Sequence, residues 1–155
     1  MPARVALVAA LLPLCATQVP AAQPASAESR PVAGQSLYHR LGGYDALAAV
    51  TDDFIGRLAG DAKLKRFFVG LSDNSKGRVR QLVLDQLCFA TGGPCVYIGR
   101  DMKTVHAGLH ITEDDWSAAS ADLTATLERF KVGSREREEV FALLAKLKPD
   151  IVEGS

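Results

Sequence analysis

Residues 99–112 read GRDMKTVHAGLHIT, from Gly99 to Thr112. Met102, Val105 and Leu109 recur at spacings of three and four, the mark of one helix face, and His106 lies beside that face. Gly108 then lets the chain leave the helix, because glycine takes up left-handed conformations at little cost. A neutral imidazole on a helix edge beside apolar residues has the chemistry of a metal ligand. A lone histidine in such a place is more often a packed or surface side chain, so the stretch takes its meaning from its surroundings.

Downstream, Thr112 precedes Glu113, Asp114 and Asp115, an N-cap followed by acids where the helix dipole favours them. That predicts a helix through Trp116, Ala119, Leu123, Leu127 and Phe130. Ser134 reads as the cap of a last helix carrying Val140, Leu143, Leu144 and Leu147, broken by Pro149. Upstream, Val79, Val83, Leu87 and Ala90 predict a helix over Arg78–Thr91, stopped by Gly92-Gly93-Pro94. Leu71–Gly77 reads as a polar loop, and Leu64, Phe67 and Phe68 supply bulk to a short turn after Gly60-Asp61. The first long helix is expected over Tyr44–Ala59. Its apolar stripe is Leu47, Val50, Phe54 and Leu58, with Asp52, Asp53 and Arg57 turned away. Ser36 reads as the cap of a short helix over Leu37–Leu41, which Gly42-Gly43 ends. With no repeat and no hairpin signal, the expected fold class is all-α.

The 155 residues suffice for one domain, and 18 basic against 18 acidic side chains argue against electrostatic binding to nucleic acid. Met1–Ala27 has the plan of a secretory signal peptide: Arg4, the apolar run Val5–Leu14, then small residues ending in Ala25-Ser26-Ala27. The run is about ten residues, too short to span a bilayer, so no transmembrane span is expected. Leu14 is large for the position before a lipidated Cys15. The expected order is a signal peptide over 1–27, a linker over 28–35 and a globular domain over 36–152. That order places the mature protein in the periplasm or outside the cell; an uncleaved tail would leave it cytoplasmic. Cys88 and Cys95 flank a tight turn, and two readings stay open: a disulfide, or two small buried thiols.

A neutral imidazole over an apolar cavity is also what haem iron needs on its proximal side. Taken in order, SLYHRLGG at 36–43, Phe67-Phe68 with Gly70 soon after, ATGGP at 90–94 and YIGRDMKTVHAGLHIT at 97–112 resemble the group I truncated haemoglobins. The resemblance runs from Ser36 to about Ile151 and implies a truncated globin fold, a two-over-two sandwich of antiparallel helices enclosing haem b. It implies that His106 is the iron ligand, with its other ring nitrogen donating to a backbone carbonyl or similar acceptor. Phe54, Ile55, Phe68, Val79, Val83, Leu87, Met102, Ile111 and Trp116 become candidates for the cavity lining, although core packing would use the same spacings. Arg78, Arg80, Arg100 and Lys103 are candidates to meet the haem propionates. His39 falls in the first short helix, away from the expected iron. His110 is four residues past His106, and the two on one helical face could bind zinc or copper instead, but no nearby cysteine or acid completes a tetrahedral set.

The departure from the family is on the opposite, distal side. Many members place a tyrosine directly after the phenylalanine of the first long helix, where this chain has Ile55. The positions that often carry glutamine are Val79, Leu82 and Val83; Gln81 and Gln86 lie nearby, and a shift of one turn would bring Gln86 into reach. The resemblance therefore implies an iron protein that reversibly binds oxygen, nitric oxide or carbon monoxide with few distal hydrogen-bond donors. An unidentified reductase is a partner consistent with that role. The alternatives are nitric oxide dioxygenation or peroxidase-like chemistry, the latter wanting a polar acid–base group above the iron, and a haem-free exported helical interaction domain.

Overall fold

The computed structural model describes residues 34–153; the expected signal peptide and most of the linker lie outside the described residues. Among them the chain forms α1 (Leu37–Arg40), α2 (Gly43–Gly60), a 3-10 turn (Lys65–Phe68), α3 (Asp73–Ala90), α4 (Met102–His106), α5 (Glu113–Arg129) and α6 (Ser134–Ile151), with no strand. The all-α expectation holds. Helix α2 is the hub, packing against α3, α5 and the 3-10 turn, while α4 rests on α6 and α1 touches both α2 and α6.

Two small cores follow from the apolar stripes. Leu37, Val50, Leu123, Leu127 and Val140 join α1, α2, α5 and α6. Tyr38, Leu47, Leu84 and Cys88 join α1, α2 and α3. Closing a leucine such as Leu84 completely contributes about 2 kcal/mol. The Gly92-Gly93-Pro94 turn is tight for a visible reason. A Cβ on Gly93 would stand 2.5 Å from the Tyr38 ring and 2.7 Å from Cys88 Sγ. Cys88 and Cys95, on either side of that turn, have Cα atoms 5.7 Å apart, inside the span a disulfide requires.

Polar groups register the helices. The Thr126 hydroxyl, fully buried on α5, donates to Asp53 Oδ2 on α2 at 2.9 Å. Arg57 and Arg129 also donate to that carboxylate. Asp53 is therefore an interhelical tie and not an outward-facing residue, because three donors offset the cost of removing it from water. The Arg57 hydrogen bond, followed by that from Thr126, holds its carboxyl below the usual carboxylate range. The nearly buried Arg40 guanidinium reaches Glu136 at 2.9 Å and also Glu139, fastening α1 to α6.

Several expected boundaries move. The segment read as a loop at Leu71–Gly77 begins α3, whose N-cap is Ser72, accepting from the Ser75 N–H at 3.2 Å. An exposed first helical turn is as polar as a loop, so composition did not separate them. Gly133 and not Ser134 is the N-cap of α6. Pro149 lies inside α6 and does not break it: in the last turn it forfeits one backbone bond, and the Val152 N–H still reaches Lys148 O at 2.9 Å. The first helix stops at Arg40, with Leu41 as its C-cap, and the Ser36 hydroxyl pairs with His39 Nδ1 instead of capping the backbone.

Candidate functional site

Helix α4 is five residues long and buries none of them, so its own turns do little to hold it. Its ends are held by side chains. At the start, Asp101 accepts from the Thr104 N–H at 2.8 Å and from the Thr104 hydroxyl at 2.7 Å. That hydroxyl bond, reinforced by the backbone one, keeps the Asp101 carboxyl below the usual range. At the end stands His106, half-buried, with Nδ1 at 2.8 Å from Met102 O. A carbonyl only accepts, so Nδ1 carries the proton and Nε2 of the neutral ring keeps its lone pair.

The helix ends there, one turn earlier than the Met102–Val105–Leu109 spacing suggests. Ala107 is extended at ψ 128°, Gly108 is left-handed at φ 80° and Leu109 is exposed. The Gly108 N–H turns away from the helix and donates to Glu153 Oε1 at 2.5 Å. Leu109 is therefore not on the face shared by Met102 and Val105. His110, also left-handed, places Nδ1 at 3.0 Å from Glu153 Oε2.

Beyond this connection, Thr112 and Asp115 form a reciprocal capping box at the start of α5. The Asp115 side chain is 4 % exposed and also receives Arg66 at 2.8 Å. The Thr112 N–H, then its hydroxyl and Arg66, hold this carboxyl below the usual range. The Arg66 bond ties the 3-10 turn to the beginning of α5, and Arg66 also lies 4.4 Å over the Phe67 ring within that turn.

The expected lining residues share one property. Phe54, Ile55, Phe68, Val79, Val83, Leu87, Met102, Ile111 and Trp116 are all half-buried, as is His106. Of these only Phe54 packs against a core cluster. Helix α3 shows the distinction best: Leu84 and Cys88 are closed, while the adjacent stripe Val79–Val83–Leu87 is not. Phe68 lines an open depression with Ala59, Ala62 and Val69. The Trp116 ring has Lys148 Nζ 5.9 Å from its centre.

Other candidates separate by their partners. Gln81 is committed to Tyr44 at 3.2 Å and Asp85 at 2.8 Å, while Gln86 is half-buried on α3. Arg80 is committed to Asp52 at 2.6 and 2.9 Å; Arg78, Arg100 and Lys103 are exposed. His39 is exposed beside Ser36. Two residues at the site escaped the sequence reading. Asp101 had a usable signal, a capping aspartate three residues before Thr104. Glu153 had none, since it acts on Gly108 from 45 residues away.

Comparison with known proteins places the chain in context. The family described as bacterial-like globin matches residues 36–153. A group 1 truncated hemoglobin of Mycolicibacterium paratuberculosis is 34% identical over 119 residues, covering 77% of this chain and 85% of that protein. The truncated hemoglobin of Tetrahymena pyriformis, solved in its Fe(III) form, superposes with a TM-score of 0.71 at 26% identity, covering 76% of this chain and 98% of that one. A 2/2 hemoglobin from Synechococcus, solved in the cyanomet state with covalently attached heme, superposes with a TM-score of 0.69 at 26% identity, covering 76% and 98%.

Proposed function

Because the chain belongs to the bacterial-like globins, as a group I truncated haemoglobin, we propose that it holds haem b through His106 and reversibly binds oxygen, nitric oxide or carbon monoxide. The donor set fits that group. Among the described residues no three His, Cys, Asp or Glu side chains gather as a metal site, so a metal held by His106 has to bring its other ligands with it. A porphyrin does so, and when bound it supplies an iron centre with an open position for a small ligand. The observation that carries the reading is the His106 Nδ1–Met102 O bond, which fixes the tautomer and leaves the Nε2 lone pair of this half-buried ring available to a metal.

The remaining residues have definable tasks. Val79, Val83 and Leu87 offer a porphyrin plane an apolar face that no core cluster takes up, and they exclude water from it. Arg78, Arg100 and Lys103 are the cations left to meet the propionates, since Arg80 is engaged by Asp52. Ile55, Val79 and Val83 bring no donor to the ligand side. That favours fast oxygen release over storage or efficient nitric oxide dioxygenation.

The test is spectroscopic. Protein reconstituted with haem b is expected to bind it one to one, with an intense Soret band that shifts under carbon monoxide; a product that stays colourless overturns the proposal. We further propose export with cleavage near Glu28 and a Cys88–Cys95 disulfide in the mature protein. The Cα separation supports the bond, and the oxidising compartment that export implies would preserve it. Intact mass of protein from its native host reads both: a chain starting near Glu28 and two hydrogens lighter than the dithiol is expected. A chain starting at Met1 or Pro2 contradicts export, and two free thiols contradict the bond.

A further inference from the structure

Helix α4 carries His106, yet it is too short to stand alone and buries no residue. It rests on α6, and its orientation on that support is set by what grips its ends. Asp101 grips the first. The second is gripped by one residue beyond the end of α6. Glu153 Oε1 accepts from the Gly108 N–H at 2.5 Å, Glu153 Oε2 faces His110 Nδ1 at 3.0 Å, and the Glu153 N–H donates to Ile111 O at 2.9 Å. Three contacts from a single residue thus span Gly108 to Ile111, just past the Ala107 C-cap.

We propose that Glu153 is a positioning residue for His106: its carboxylate latches the α4–α5 connection and so sets the angle at which the imidazole meets the iron. The inference rests on the haem reading above. The Gly108 bond is the main element, because an ionised carboxylate accepting a backbone N–H makes a strong, directed contact. The His110 pair adds less, its imidazole being 87 % exposed. Neighbouring elements cooperate. Lys148 on α6 reaches Glu113 of α5 at 2.7 Å, so the last turn of α6 and Glu153 just past it hold the two sides of the connection. The continuation of α6 past Pro149 carries Glu153 to its station.

Glu153→Ala, Glu153→Gln and His110→Ala in the full chain test this in two states. In the haem-free protein, amide exchange at Gly108 is expected to quicken about tenfold in Glu153→Ala, and much less in Glu153→Gln, whose amide oxygen still accepts. In the ferrous haem protein, the iron–histidine stretching band in the resonance Raman spectrum is expected to shift or broaden in Glu153→Ala, to recover largely in Glu153→Gln and to change little in His110→Ala. Unchanged exchange at Gly108 shows that the latch does not exist and overturns the proposal. Faster exchange with an unchanged iron–histidine band overturns it too, leaving Glu153 a purely structural tie. Absence of that band from the unmutated protein is failure of the haem reading itself, and the exchange data then report on the latch separately.

Discussion

Helix α3 runs for eighteen residues and closes Leu84 and Cys88 completely, whereas α4 runs for five and closes none. In the proposed haem site the two would supply different walls, and they are held by different means. Apolar burial against α2 fixes α3, which leaves its neighbouring stripe Val79–Val83–Leu87 available for a ligand face without endangering the helix. Helix α4 rests on α6 and is fixed there by hydrogen bonds at its two ends, through Asp101 on one side and Glu153 on the other. The difference separates stability from ligation. Changes around α4 should appear in spectra and ligand rates with small effects on unfolding, while changes in the α2–α3 wall should touch both.

The sharpest break in this comparison is at His106. His106→Ala is expected to speed haem loss by about a hundredfold or more, measured by transfer to an apo-globin acceptor, while thermal unfolding of the haem-free protein barely moves. Next comes the other wall. Ile55→Tyr puts a phenol donor where Ile55, Val79 and Val83 bring none, and such a bond in a dry pocket slows oxygen release by about tenfold. Carbon monoxide release, read by the same stopped-flow method, should change far less. Some loss of stability accompanies the larger ring and is measured alongside.

Asp115 anchors the far end of the α4–α5 connection. Removing it in Asp115→Ala costs the capping box and the Arg66 bond, about 2 kcal/mol at neutral pH by denaturant titration. Its folded carboxyl is held below the unfolded value. Its contribution is therefore present above the ordinary carboxylate range and lost as pH falls through the folded value, so Asp115→Ala should also flatten the acid limb of stability. Asp122 on α5 behaves in the reverse sense. Oδ2 is buried without a partner, and burial, aided by Asp61, raises its carboxyl above the usual range. Above that raised value the charge destabilises the fold. Asp122→Asn should therefore add about 0.5 kcal/mol at neutral pH, an advantage that fades as pH falls into the range where Asp122 takes up its proton.

Much of this arrangement was legible in the residues, and the gaps have physical causes. The long helices announced themselves because Leu47–Val50–Phe54 and Leu123–Leu127 repeat at helical spacing and do face the two cores. His106 stood out because glycine pairs and a capped helix frame it at fixed distances. The start of α3 did not, since Ser72 through Gly77 is as polar as a loop and no apolar partner marks the turn. Pro149 was read as a breaker because intrinsic propensity is blind to position within a helix, and the last turn has little left to lose. Asp53 and Glu153 were invisible for a common reason. Their partners, Thr126 and Gly108, are brought to them only by the fold.

Replacing His106 with glycine and supplying free imidazole tests the assignment at the centre of this account most directly. The ferrous and carbonyl absorption spectra of His106→Gly are expected to lose the form seen in the unmutated protein and to regain it as imidazole is titrated in. Spectra that already match the unmutated protein without imidazole, with Soret maxima and carbonyl shift unchanged, would contradict His106 as the iron ligand.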